Sequence, residues 1–445
     1  MVASTRIPMI VEPFVSERAK KTLDLVEQFV EKECIPREAL YQAQLGTGEA
    51  RWAKTPVVME ELKAKARQLG LWNMFLPKNH FKEGAGFSNV EYGLMAESLG
   101  KCSIASEATN NAAPDTGNME VFAKYGTEAQ KQEWLVPLLE GKIRSAFLMT
   151  EPDIASSDAK NIQLDIRREG NEYVINGQKW WSSGTGDKRC KIYIVMGKTD
   201  PTNLDPYKQQ SVVLVPAGTP GITIHRMLTV YGYDDAPHGH GHLSFKNVRV
   251  PVSNIVLGEG RGFEIIQGRL GPGRIHHAMR AVGAAERALE YLIARANDES
   301  RKPFGAVISS HGVILEWIAK SRIEIDSARL IVLNAAVRID SADAKAALKE
   351  IAEAKVLVPQ MALTVIDRAV QAHGGMGVCQ DTPLASMWAK LRTLRIADGP
   401  DEVHLSQMGK RENKQRKEEV TAKIQWQKDE AQRLLTANGF PKSQL

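Results

Sequence analysis

The strongest constraint on the fold is a change of hydrophobic period along one chain, from helical to strand-like and back to helical. From about residue 14 to 146 apolar residues recur at three and four, as in Leu23, Val26, Phe29 and Val30, and again from Glu128 to Leu139. Punctuation at Gly70, Pro77 and Gly84 to Gly86 separates these segments. Between roughly Ser145 and Leu257 short β-rich runs take over: Tyr173-Val174-Ile175, Ile192 to Met196, Ser211 to Val215 and Ile222 to His225. After Gly262 long helical periodicity returns, with Ile314, Ile318 and Ile325 on one face and a further run from Ala344 through Ala372. The expected class is α+β: an N-terminal helical domain over 14–146, a middle β domain over 147–257 and a helical bundle over 258–410. Residues 411–445 read as a charged tail, a solvated helix or a frayed end, because Arg411 to Glu419 is dense in mixed charge.

Composition narrows the function classes. A chain of 445 residues can bury two or three packed units, and 43% hydrophobic with 25% charged residues is ordinary for a globular protein. The net charge of +5, from 58 basic and 53 acidic residues mixed along the chain, favours an anionic ligand over nucleic acid. Cys34, Cys102, Cys190 and Cys379 lie far apart, which points to a reducing compartment and no cysteine metal site. No run approaches the ~20 apolar residues of a membrane span, so a soluble protein is expected. Glu12 and Glu17 argue against a transit peptide. The terminal Ser443-Gln444-Leu445 resembles the SKL-type peroxisomal address, with mitochondria or cytoplasm as alternatives.

Chemistry is concentrated in a few segments. Phe147-Leu148-Met149-Thr150-Glu151-Pro152-Asp153-Ile154-Ala155-Ser156-Ser157-Asp158 is a hydrophobic strand running into a turn rich in hydroxyls and acids. Tyr173 to Lys179 reads as a hairpin about Asn176-Gly177, leading into Trp180-Trp181-Ser182-Ser183-Gly184. Gly258 to Phe263 lacks the G-x-G-x-x-G spacing and any surrounding βαβ unit, so it reads as a turn. His238, His240 and His242 alternate as metal ligands on a strand would, but the glycines between them favour a polar sheet surface, and no metal is expected. His276-His277 points in two directions from a helix and reads as packing.

In this order and spacing the segments resemble the acyl-CoA dehydrogenase superfamily, whose middle domain carries a T-E-P-x-x-x-S-D strand and then a K-x-W strand. The resemblance extends over about residues 14 to 410. Trp180 to Ser183, Arg269 to Arg274 and Ala397 to His404 look like the branch of family members ten and eleven, which carry a further kinase-like domain. It implies non-covalent FAD, with Thr150 against the flavin, Phe147 and Met149 beside it, and Trp181 and Ser183 over its other edge. Ser156 or Ser157 would reach an acyl-CoA substrate, with Ser157 preferred because Asp158 follows it. Arg274 matches an arginine facing the substrate, although the family's acid three residues earlier is Gly271, and Pro272 between glycines is expected to reshape the backbone. Arg301 and Phe304 of an R-x-x-F-G stretch, and Gln371, Gly374 and Gly375 of Q-x-x-G-G, would serve the FAD of a neighbouring copy, implying a homodimer or homotetramer.

Asp398 occupies the family's base position, one methylene shorter than the usual glutamate, with Gly399 at the substrate and Pro400 and Glu402 at the cofactor. Asp401 and Glu402 do not share its frame. The implied activity is α,β-desaturation of an acyl-CoA thioester, as in fatty acid β-oxidation, with the α-proton taken by Asp398 and the β-hydride leaving to flavin N5. An electron-transferring flavoprotein is the implied acceptor. Nitroalkane oxidase, which also uses an aspartate base, and acyl-CoA oxidases are related alternatives. A DNA-associated flavoprotein of the alkylation-response type is one of another class.

Overall fold

Ser16 caps the first long helix, α1 (Glu17–Phe29), by accepting from the Ala19 amide at 3.2 Å, and Leu23, Val26 and Phe29 turn inward as their spacing requires. In this computed structural model, which describes residues 2–77 and 81–440, a reciprocal Ser88–Glu91 capping box opens the buried α2 (Asn89–Gly100). Next in the helical region comes α3 (Asp115–Tyr125). Glu128 to Leu139 is helical but interrupted by a π turn at Lys131–Leu135. The Ser443-Gln444-Leu445 tripeptide lies outside the described residues.

The middle region is one seven-stranded sheet: β1 (Arg144–Leu148), β2 (Asp165–Glu169), β3 (Glu172–Ser183), β4 (Cys190–Lys198), β5 (Gln210–Pro216), β6 (Ile222–Met227) and β7 (His240–Pro251). Its order is β1-β4-β2-β3-β7-β6, with β5 also paired to β4. A single residue pair, Asp165 with Lys198, joins the β4 side to the β2–β3 side. Residues of both sides, among them Leu148, Val195, Val213, Ile175, Leu243 and Phe245, share one apolar cluster. The sheet is therefore folded over a common core.

One turn expected from sequence is absent. Asn176-Gly177, a strong hairpin signal, lies inside β3, where the register against β7 shifts between Ile175 and Gly177. Gly177 (φ 138) accommodates the bulge, and the Asn176 side chain accepts from the Asn247 amide at 2.8 Å. The reversal falls earlier, at Gly170-Asn171 between β2 and β3, where Gly170 takes φ 61.

The C-terminal region contains α4 (Gly262–Ala296), α5 (Gly312–Ser341), α6 (Leu348–His373) and α7 (Asp401–Ala437). Helix α4 is continuous through Gly271-Pro272-Gly273, so the expected reshaping of the backbone does not interrupt it. Helix α7 starts directly after the Asp398-Gly399-Pro400 loop and runs on without a break through the charged tail, of which the helical reading applies. No helix among the described residues is long and apolar enough to cross a membrane.

Helices α2 and α4 cross with their backbones touching. A Cβ on Gly283 would lie 1.8 Å from the Glu97 carbonyl oxygen, and one on Gly100 would lie 2.1 Å from the Arg280 carbonyl oxygen. Backbone cannot step aside as a flexible side chain can. Gly283→Ala is therefore expected to lose stability, by about 1–3 kcal/mol as for other overpacked sites, and thermal unfolding should show a lower midpoint.

Candidate active site

The sheet, α4 and the start of α7 enclose a cleft of about 1880 Å³. It brings together Phe147, Met149, Thr150, Ser156, Ser157, Trp181, Ser183, Arg274, Asp398, Gly399, Pro400 and Glu402, every cleft residue expected from one chain. The T-E-P and K-x-W segments are neighbours for an electrostatic reason. Lys179, wholly buried, donates to Glu151 Oε1 at 2.8 Å and to the Met149 carbonyl at 2.7 Å. Glu151 also accepts from the Gln163 and Leu164 amides at 2.8 and 2.9 Å. Burial pushes the Lys179 ammonium down to about 8 in spite of Glu151. Thr150 Oγ1 donates to the Trp180 carbonyl at 2.7 Å and the Trp180 amide to the Thr150 carbonyl at 3.0 Å, so the wall is stitched on both sides.

On this wall Trp181 adopts φ 51, is 40% exposed and lines the cleft. The ring is backed by His240, centroids 5.7 Å apart, and His240 Nδ1 is 2.9 Å from Ser183 Oγ. An exposed aromatic face beside Phe147 and Met149 suits a flat aromatic group, so the residues present fit a flavin ring. The hydroxyl of Ser156 is tied into its own turn through the Glu151 amide and carbonyl, whereas Ser157 stands exposed at the cleft. Lys179→Met leaves Glu151 buried and unpaired, which typically costs about 3–5 kcal/mol. Thermal unfolding should show the loss, with partial recovery in Lys179→Met/Glu151→Gln.

Asp398 sits in a loop held from several directions. Asp398 (φ 56) and Gly399 (φ 99) are both left-handed. Arg274 Nε donates to the Asp398 carbonyl at 3.1 Å, and His404 Nε2 lies 3.3 Å from the same oxygen. Lys355, buried on α6, donates to the Leu394 carbonyl and to the Gly399 carbonyl, the latter at 3.1 Å. Arg395 pairs with Asp401 at 2.6 Å, which withdraws Asp401 from the cleft, while Glu402 faces it exposed.

The Asp398 carboxylate keeps 24% exposure through the cleft. Burial would raise its pKa, but His277, Arg269, Arg274 and Lys355 outweigh burial and hold it below the ordinary aspartate value. Burial pushes Lys355 down to about 8 against the pull of Asp398 and Asp401, and takes His404 down to about 4. Arg269, beside the cleft, stacks its guanidinium over Phe147 at 4.2 Å.

The remaining expected residues lie elsewhere. Arg301, Phe304, Gln371, Gly374 and Gly375 are exposed and outside the cleft, and Arg301 lies beside the Gly374-Gly375 turn, with Nη2 3.9 Å from Met376 Sδ. The alternating histidines have separate partners: His238 lies 2.8 and 2.9 Å from Glu107 and Asp187, His240 3.1 Å from Asp235, and His242 2.9 Å from Gln178. Among the described residues no group of three or more His, Cys, Asp or Glu side chains is placed to hold a metal ion. The packing reading applies to His276, which is buried edge-on to Tyr92. His277 departs from it, with Nε2 3.8 Å from Asp398 Oδ2. Periodicity could have found His277, since it lies three residues beyond Arg274 on the same helix.

Models of the acyl-CoA dehydrogenase N-terminal, middle and C-terminal domains match residues 16–142, 146–248 and 260–412. A solved chain of Mycobacterium abscessus described as an acyl-CoA dehydrogenase shares 48% identity, with a TM-score of 0.87, over 90% of this chain and 99% of its own. The chain belongs to the acyl-CoA dehydrogenase family. Acyl-CoA dehydrogenase family member 11 of Gallus gallus is 53% identical over 415 residues, 92% of this chain and 52% of that protein. This chain spans about half the length of the curated relatives it matches first. Butyryl-CoA dehydrogenase of Megasphaera elsdenii aligns with a TM-score of 0.74 and 28% identity, over 89% of this chain and 98% of its own.

Proposed function

We propose that this family member is an FAD-dependent acyl-CoA dehydrogenase in which Asp398 removes the α-proton of an acyl-CoA thioester. The observation that carries this reading is the half-buried Asp398 carboxylate, which lines one cleft with Thr150, Trp181 and Ser183 and stands in the family's base frame. Bound FAD would supply the acceptor for the β-hydride. The cations around Asp398 hold it ionised at neutral pH and ready to accept a proton. They weaken it as a base, but Arg269 and Arg274 also favour the negative charge that develops on the thioester as the proton leaves. Walls of Phe147, Met149 and Trp181 keep water from that charge. An electron-transferring flavoprotein is the acceptor that the family resemblance favours. The joined surface of Arg301 and Gly374-Gly375 suits a shared cofactor site in a homodimer or homotetramer.

Asp398→Asn keeps shape and deletes the proton acceptor, so FAD should remain bound while acyl-CoA turnover falls by about 10²–10⁴-fold or more. A loss below about tenfold would remove Asp398 from the role. The aspartate in place of glutamate favours one second reading, a nitroalkane-oxidase-like reaction. Turnover of nitroethane in place of acyl-CoAs would decide for it. Lys355 adds a pH dependence: it is charged below about 8 and neutral above. The loop clamp and the positive field both weaken as pH rises through that value, so the pH profile of turnover should decline on its alkaline side near 8.

A further inference from the structure

We propose that His277 is a positioning residue for Asp398, its ring held by Arg280 in the tautomer that aims an N–H at the carboxylate. The inference deepens the reading of Asp398 as base and rests on it.

The geometry is directional. His277 lies between Asp398 and Arg280, with Nε2 3.8 Å from Asp398 Oδ2 and Nδ1 3.3 Å from Arg280 Nη2. A guanidinium only donates, so Nδ1 must accept, and a neutral imidazole then carries its single proton on Nε2, facing Asp398. The ring stays neutral: burial, then Arg280, with Arg269 and Lys355, push it down to about 4 against the opposing pull of Asp398. At 3.8 Å the pair is beyond hydrogen-bond length. Rotation of the Asp398 side chain brings one oxygen onto the N–H and leaves the other for the α-proton.

Arg280 is itself fixed. Its backbone is the one that meets Gly100 at the α2–α4 crossing, and its Nη1 reaches the Asn111 carbonyl at 3.4 Å. The charged and titratable groups facing the pair and Arg280 are Arg269, Arg274 and His276 from α4, Tyr92 from α2, Lys355 from α6, and Asp401 and His404 from α7. Asp401 is engaged by Arg395, and Arg274 and Lys355 donate to backbone carbonyls of the base loop. Among these groups His277 is the one whose ring N–H faces the carboxylate from α4, one turn beyond Arg274. It supplies the lateral support that a short aspartate arm lacks.

The test uses the FAD-loaded full chain with butyryl-, octanoyl- and palmitoyl-CoA. NMR follows deuterium uptake at the α-carbon from D₂O, and dye-coupled turnover gives kcat and KM. His277→Leu should slow exchange and kcat about ten- to hundredfold, the worth of a hydrogen bond to a charged group, with KM nearly unchanged. His277→Gln, which keeps an N–H, should recover most of the loss. Arg280→Met removes the charge that, after burial, does most to keep the ring neutral. His277 should then take up a proton on the acid side, pair with Asp398 and slow exchange there, producing a limb between about pH 5.5 and 7.5 where the parent is flat. Arg280→Met/His277→Gln should abolish that limb. Equal losses in His277→Leu and His277→Gln, or a flat profile in Arg280→Met, would overturn the inference. Parent-rate exchange in Asp398→Asn would defeat the base assignment itself. A loss there with none in His277→Leu would overturn the positioning role alone.

Discussion

The cleft depends on cations of one helix gathered around a single carboxylate. Arg269, Arg274 and Arg280 all belong to α4, and Asp398 is the acid they face. Guanidinium groups taken out of water need partners, and one carboxylate cannot serve them all. The remainder is met by backbone: Arg274 bonds the Asp398 carbonyl, Arg280 the Asn111 carbonyl, and Lys355 the carbonyls at Leu394 and Gly399. Because carbonyl dipoles absorb these donors, the Asp398 carboxylate is not consumed as a counter-ion. The site keeps an excess of positive field where a thioester enolate would form.

That helix is placed by contacts far from the chemistry. The crossing of Gly100 and Gly283 brings α2 and α4 to backbone contact and sets the height of Arg280. On the other side, α3 is pinned to β1: Asp115 accepts from the Ser145 amide and hydroxyl at 2.7 and 2.6 Å, and Asn118 donates to Ser145 Oγ at 2.9 Å. Arg144, buried with Glu107 and Asp115, and Arg189 with Asp187 and His238, extend the same network between the helical domain and the sheet. Burial raises and the surrounding cations lower the Glu107 pKa, and the cations prevail, so it remains charged. Strand β1 thus leaves a rigid ionic base and delivers Phe147, Met149 and Thr150 to the cleft.

Much of this was legible in the sequence, and the exceptions have physical causes. The change of period located the sheet because alternation and helical spacing are direct consequences of backbone geometry. The motif segments located the cleft wall because their hydroxyl and aromatic residues are chemically distinctive. Asn176-Gly177 misled because the conformation that suits a two-residue turn also suits a bulge, and pairing with β7, a long-range contact, decided between them. The Glu151–Lys179 pair could not be read from either segment alone, since each charge looks solvent-facing until the partner is known. Spacing from Arg274 separates His277 from His276, but what His277 meets depends on the Asp398 loop, which folds back from a distant part of the chain.

The choice of aspartate at position 398 follows from the same loop. At φ 56 Asp398 occupies a region where asparagine and aspartate are several-fold enriched among non-glycine residues, because their short polar side chains tolerate it. A longer glutamate gains no such tolerance. The next residue is constrained further: Gly399 has φ 99, and a Cβ there would lie 2.8 Å from His404 Nε2, the nitrogen that also faces the Asp398 carbonyl. The left-handed pair is therefore locked by His404 beneath it and by Lys355 and Arg274 through its carbonyls. A loop of this shape can present its carboxylate to the cleft without the extra methylene, so the shorter arm and the unusual backbone are two aspects of one solution to the reach of the Asp398 carboxylate.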